Sequence, residues 1–245
     1  MSVDLDLIQQ AIPLLLKGLA TTLVIGLVAI VVGFPMGLGF ALARLSSNRT
    51  LAGIALLYSM VFRGTPLLVQ IFIIYFGLGQ LQFLRDQTAL WWFFSDGFNC
   101  ATLAITLNTA AYTSEILRGG LMGIPAGEIE AARACGMSGW LCLRRIRFPL
   151  AFRLALPAYA NEITVIVKES SLASTVTVLE ITGLAKRLMS ETFAVVEIFT
   201  LAGLLYLIVN FAVLLVMRSW LEPRLSLHRN VARPTSWLRL RRRRA

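Results

Sequence analysis

A small set of polar side chains lies inside otherwise apolar runs, and these are where the chain has chemistry to offer. Asn108, Tyr112 and Glu115 are spaced four and three apart, which places them on one face of a helix. Further on, Glu162 and Glu169 share one face and Asn161 and Lys168 another, with Ser170 following. Polar and ionisable groups at membrane depth are costly and persist where they face a bundle interior or a wet cavity, so each is a functional candidate. The chemistry is recognition rather than bond breaking. Carboxylates and carbonyls suit an ammonium group, Lys168 and Ser170 suit a carboxylate, and together they would replace the water that a polar ligand loses on crossing. Structural readings stand beside this one. Glu115 and Arg118 are spaced to pair at i, i+3, the favoured reading for Glu115. Lys168 beside Glu169 suits the cap of a broken helix.

Other chemistries find no foothold. There is no Gly-x-x-x-x-Gly-Lys-Ser/Thr loop for a nucleotide and no His/Cys/Asp spacing for a metal. The single histidine is His228, near the C-terminal end. Cys100, Cys135 and Cys142 read as small unpaired apolar residues. No cofactor is expected, no catalytic constellation for a membrane enzyme is evident, and any energy must come from a partner.

The elements that must position these groups are membrane helices. Of 245 residues 57% are hydrophobic and only 15% charged, with mean hydropathy +0.74, which excludes an ordinary soluble domain. Five stretches are long enough to cross a bilayer: about Leu19 to Ala43, Thr65 to Phe83, Phe98 to Leu117, Leu154 to Thr175 and Val196 to Met217. An amphipathic segment, Leu51 to Phe62, precedes the second. Arg63-Gly64-Thr65-Pro66 reads as the entry of that span, since Pro is well tolerated in a helix's first turn. Gly33 and Gly37 are four apart and read as close packing within the chain rather than a subunit contact. Trp91 and Trp92 read as an interfacial anchor, and Leu179 to Val195 as a short helix on the outer face. The start, with Asp4 and Asp6 and no basic region, does not read as a cleavable signal.

Charge sets the orientation. The net charge of +10 suggests nucleic acid until its placement is considered: the cations cluster at span ends and in the tail. Most of the 23 lysines and arginines fall in the segments that share a side with the C-terminus, whereas the opposite side holds Lys17, Arg85, Lys186 and Arg187. The positive-inside rule then puts the N-terminus outside and the tail in the cytoplasm. Residues 1–226 read as one membrane domain and 227–245 as a basic cytoplasmic tail suited to anionic lipid.

Between the third and fourth spans lies an ordered polar island. Pro125 and Gly127 set a start, Glu128 and Glu130 load the first turn of a helix, an Ala-rich run follows, Gly136 stops it and Ser138 can cap the next. This predicts two short cytoplasmic helices in a hairpin, a shape suited to docking.

Glu130-Ala131-Ala132, Gly136 after a three-residue gap, then Ile146 and Pro149 resemble the EAA loop of bacterial ABC importer permeases. Asn108 to Gly120, Arg63 to Gln70 and Lys168-Glu169-Ser170-Ser171-Leu172 resemble the polar-amino-acid branch, the histidine, glutamine, arginine and opine permeases. Glu128 and Cys135 depart from that pattern, which often has Gln and Leu there. The resemblance implies an all-α permease of the inner membrane whose hairpin (Glu130, Ala131, Ala132, Gly136, Pro149) is the coupling helix seated in a separate ATP-hydrolysing subunit. It further implies a second permease subunit, identical or homologous, two ATPases that bind the ATP, and a periplasmic binding protein. Asn108, Tyr112, Glu115, Asn161, Glu162, Lys168, Glu169 and Ser170 would then line a path, with Arg63, Gly64 and Pro66 at the entry of span two. The competing expectation is a self-contained carrier driven by an ion gradient. Such carriers commonly show repeated halves, and no internal repeat is evident.

Overall fold

The structure is a computed structural model that describes residues 5–217 and 219. The basic tail expected at 227–245 lies outside the described residues. Among those described, every regular element is helical: α1 (Leu5–Arg44), α2 (Arg49–Gly64), α3 (Leu67–Phe72), α4 (Gln82–Asp86), α5 (Thr88–Phe94), α6 (Gly97–Met122), α7 (Ala126–Ala134), α8 (Gly139–Cys142), α9 (Phe148–Glu169), α10 (Ile181–Thr192) and α11 (Val195–Val216).

Three helical stretches are each long and apolar enough to cross a membrane: Leu7–Arg44, Gly139–Val176 and Val195–Val216. A fourth exists if the bent pair Arg49–Gly64 and Leu67–Gln80 counts as one. The expected third span falls within α6, which is not among them. The reason is physical. α6 packs between α1 and α9, with α2 and α3 also against it, and Thr102, Thr106, Asn108, Thr109, Thr113 and Ser114 are all buried in these contacts. A helix walled by other helices on most sides does not need the hydropathy of one that faces lipid. α11 is the opposite case: Leu204, Leu207, Ile208, Phe211 and Leu215 are exposed on the isolated chain.

α1 is 40 residues long, or about 60 Å at 1.5 Å per residue. It begins well before the Leu19 expected from hydropathy, because Ala11 and Leu15 are buried against Ile181, Ala185 and Ile198 of α10 and α11. Lower down, α1 presses backbone-close onto α6. A Cβ at Gly37 would come within 2.7 Å of the Cβ of Thr113, and one at Gly33 within 3.1 Å of the Thr109 methyl. The Gly33/Gly37 pair thus serves packing within the chain, as read from its spacing.

α2 and the stretch Leu67–Gln80 meet at 104°. Gly64 ends α2, Thr65 is extended, and Pro66 precedes α3. Beyond α3 the helix widens into a π turn (Ile73–Gly77) and tightens into a 3-10 turn (Leu78–Gln80), so the expected second span is shorter and less regular than a straight helix. The expected fourth span is longer. α8 runs through a π turn (Leu143–Arg147) into α9 and on through a 3-10 segment, Ser170–Val176, without a gap. Pro149 has no N–H to offer the carbonyl of Arg145, and the turn just before it has the wider register. The break anticipated near Lys168 is a change of pitch: the hydroxyls of Ser170, Ser174 and Thr175 bond back to the carbonyls of Val167, Ser171 and Leu172 at 2.6–2.8 Å.

α10 fills the segment read as a short helix between the last spans. Its N-cap, Glu180, is fully buried. The carboxylate accepts from the N–H groups of Thr182 (2.9 Å) and Gly183 (2.8 Å) and from the hydroxyl of Tyr206 (2.5 Å), which fastens α10 to α11.

Candidate functional site

Three polar assemblies stand out, and they differ in how far their groups are satisfied. The first centres on Glu115 of α6. Its Oε1 accepts from Arg44 Nη1 of α1 at 2.5 Å and lies 3.4 Å from the Ser59 hydroxyl of α2. Its Oε2 takes Arg118 through Nε (3.0 Å) and Nη2 (2.8 Å), with Arg63 Nη1 at 3.9 Å. One carboxylate therefore ties three helices and answers three guanidinium groups. Two donors of the planar Arg118 fork thus converge on that one oxygen. Arg63 also stands over the ring of Tyr112, 5.2 Å from its centre. The predicted Glu115–Arg118 pair is present, and Tyr112 joins it through Arg63.

Next to this knot lies the elbow between α2 and α3. A helix that stops at a bend leaves carbonyls without partners. Here Asn108 Nδ2 donates to the carbonyl of Phe62 (2.9 Å) and to Gln70 Oε1 (3.1 Å). Gln70 Nε2 donates to Phe62 O (2.8 Å), Thr65 O (3.1 Å) and Thr65 Oγ1 (2.9 Å). Asn108 is 4% exposed and spends its donors on this clamp, which fixes Arg63, Gly64 and Pro66 in place. Gln70 carried no role in the sequence reading; the available signal was a lone amide in an apolar run just after Pro66. Arg44 had counted only as a topological charge.

The second assembly is the face of α9. Glu162 is buried at 7% exposure, Glu169 is half-buried, and Asn161 and Lys168 are exposed. Among the described residues no hydrogen bond or ion pair reaches the side chains of these four. Ser170 differs from them: it is fully buried and bonded to its own helix. Lys168 lines a recess of about 360 Å³ with Ser171 and with Thr182, Phe199 and Tyr206 of α10 and α11. A buried carboxylate without a partner costs several kcal/mol unless something outside the chain compensates it.

The third is the hairpin. α7 ends on Gly136 at φ +75°, the left-handed region that glycine enters without strain. Met137 N–H bonds Ala132 O (3.1 Å) and Gly136 N–H bonds Arg133 O (2.9 Å), the two bonds of a Schellman stop. Ser138 then caps α8, its hydroxyl accepting from the Leu141 N–H at 3.4 Å. The predicted stop and cap are thus both present. Ala132 packs inward at 5% exposure, while Glu130 and Ala131 face outward. Pro149 sits in the first turn of α9, at the base of the hairpin.

Among the described residues, a wholly helical build with a polar central helix and a capped hairpin between α6 and α9 is that of a membrane transport subunit. Residues 33–227 match the family described as binding-protein-dependent transport system inner membrane component, and the chain belongs to that family. It is 47% identical over 223 residues to the nopaline transport system permease protein NocM of Agrobacterium fabrum, covering 90% of this chain and 92% of that one. It is 51% identical over 197 residues to the octopine permease OccM of Rhizobium meliloti, covering 80% of each. The histidine/lysine/arginine/ornithine permease HisM of Escherichia coli is 39% identical over 209 residues, covering 84% of this chain and 88% of that one. A crystal structure of an amino acid ABC transporter with histidines superposes with a TM-score of 0.81 at 32% identity, covering 92% of this chain and all of the other. The inward-facing MetNI methionine transporter, at 20% identity and a TM-score of 0.65 over 89% of this chain and 99% of that one, shares the fold. The chain is an ABC importer permease subunit, and its relatives are transport permeases rather than enzymes.

Proposed function

We propose that this chain forms half of the pore of an ATP-driven importer for polar amino acids or opine-like compounds in a bacterial inner membrane. The relatives named for nopaline, octopine and basic amino acids support that substrate class. In this reading α6 is a further span, which gives five with the N-terminus outside and the hairpin and C-terminus in the cytoplasm. The hairpin is the single observation that carries it. A Schellman stop, a Ser cap and an outward Ala131 make a rigid knob with small side chains at its tip, the form expected of a handle seated in another protein's groove.

Two such subunits, identical or homologous, pair across the pore, two ATPase subunits grip the hairpins, and a periplasmic binding protein delivers substrate. ATP favours the closed ATPase dimer, and that differential affinity moves the hairpins together and shifts the pore between its states. Asn161, Glu162, Lys168 and Glu169 line the path, where their unpaired groups exchange for the water stripped from a zwitterion. Asn108, Tyr112, Glu115 and Ser170 bound that path from behind. The Arg63-Gly64-Thr65-Pro66 elbow frames its entry.

Uptake in proteoliposomes containing this chain, its ATPase and its binding protein tests the proposal. Uptake is expected to require ATP inside the ATPase-accessible compartment and to ignore ionophores. It should fall at least tenfold in Gly136→Arg, whose side chain meets the left-handed backbone and the groove together. Uptake that persists without ATP and collapses with the ion gradient would establish the carrier reading instead.

A further inference from the structure

The flank of the hairpin carries charge that nothing among the described residues answers. The π turn after α8 holds Arg144, Arg145 and Arg147. Among the described residues none of the three forms an ion pair. The Nε of Arg147 is shut away from solvent without a hydrogen-bond partner. Arg144 stands at the edge of a groove of about 180 Å³ whose other walls are Leu38 and Leu42 of α1, Trp140, Leu143 and Phe148. Those walls are apolar, and Trp140, 70% exposed, stands at the mouth.

The groove does not end at the hairpin. Val24, Leu27 and Val31 precede Leu38 and Leu42 at spacings that keep all five on one face of α1. These three are 47%, 61% and 61% exposed. An apolar stripe therefore leads into an apolar groove edged by the exposed Arg144 and the indole of Trp140, with the exposed Arg145 next to Arg144 in the same turn. Tryptophan favours the headgroup level of a bilayer, and arginine pairs well with phosphate oxygens. Basic pockets between spans at a cytoplasmic surface suit anionic headgroups.

We propose that this groove is a binding site for an anionic phospholipid of the inner leaflet, with one acyl chain along Val31, Leu38 and Leu42 and the phosphate on Arg144 and Arg145. An acidic surface of a protein partner would answer the charge and leave the groove unfilled, so the lipid accounts for both features. The assignment takes only its choice of leaflet from the orientation proposed above. The site lies beside the handle, so its occupancy is placed to steady the hairpin's base.

Full-length chain in bilayers doped with 10 mol% brominated lipid tests this without ATPase or transport substrate, and so independently of the importer reading. The signal is the part of the tryptophan emission lost in Trp140→Phe. Brominated phosphatidylglycerol is expected to quench it at least threefold more than brominated phosphatidylcholine. The difference should vanish in Arg144→Gln/Arg145→Gln, survive in Arg144→Lys/Arg145→Lys, and shrink in Leu42→Phe, which fills the groove, keeps the charges and adds no tryptophan. Soluble glycerophosphoglycerol, a headgroup without chains, should not displace the lipid. Equal quenching by both lipids would overturn the proposal. So would a phosphatidylglycerol preference indifferent to the arginines.

Discussion

Glu115 and Glu162 are both glutamates held deep among helices, and their surroundings could hardly differ more. Glu115 is met by Arg44, Arg118 and Arg63 and approached by Ser59. Glu162 has neither hydrogen bond nor ion pair among the described residues. Natural proteins satisfy their buried polar groups, so the contrast carries information. A carboxylate whose partners all come from its own chain is part of the scaffold. One left open among the described residues is placed, in the proposed reading, to meet a second subunit, water or cargo. The same division separates Asn108, whose donors are committed to the elbow, from Asn161, which is exposed. In the proposed path, the satisfied residues would hold the frame and the open ones the lining.

That division predicts an ordering of stability effects. Glu115→Leu removes the counter-charge of two closely bonded arginines and leaves them stranded, so it should cost about 3 kcal/mol or more. Thermal unfolding of the detergent-solubilised chain should show a large drop or failure to recover folded protein; a near-native midpoint would erase the distinction at its strong end. Gly37→Val places a Cβ against Thr113 and forces α1 from α6. The expected cost is about 1–3 kcal/mol, read from the same transition. Asn108→Ala frees the Phe62 carbonyl and part of Gln70, for about 1–2 kcal/mol. It should also raise tryptic nicking after Arg63, because the elbow loses its clamp. Glu162→Gln, which keeps shape and removes charge, should move the midpoint by less than the equivalent of about 0.5 kcal/mol or raise it. Measured as uptake, the order reverses for that last variant: ATP-driven transport in Glu162→Gln should fall about tenfold or more. A Glu162→Gln protein that is unstable yet transports normally would place Glu162 in the scaffold and collapse the comparison.

Much of this was legible in the sequence where the chemistry is local. Pro125, Gly136 and Ser138 announce a start, a stop and a cap because each acts on backbone within a few residues of itself. The same is true of the Glu115–Arg118 pair at i, i+3 and of α11, whose run of apolar residues has one plausible environment. What escaped is what distance decides. The 104° elbow is signalled by Gly64 and Pro66, but its angle is held by Asn108, 46 positions from Phe62. Arg44 and Glu115 are 71 apart. The early start of α1 depends on α10 and α11 covering Ala11 and Leu15, and hydropathy summed along the chain knows nothing of that cover. For the same reason hydropathy undervalues α6, whose threonines and serines are polar by composition and enclosed by position.

The account stands on the hairpin between α6 and α9 being gripped by a separate motor, and site-directed crosslinking tests that most directly. Ala131→Cys places a thiol on the exposed side of α7, and a matching cysteine series scans the surface groove of the ATPase subunit. Disulfide formation during ATP-driven uptake should appear at a short, contiguous set of groove positions, and locking it should arrest transport until reductant is added. No crosslink at any groove position while uptake proceeds, or labelling of Ala131→Cys by a membrane-impermeant reagent from the outer side, would contradict the account.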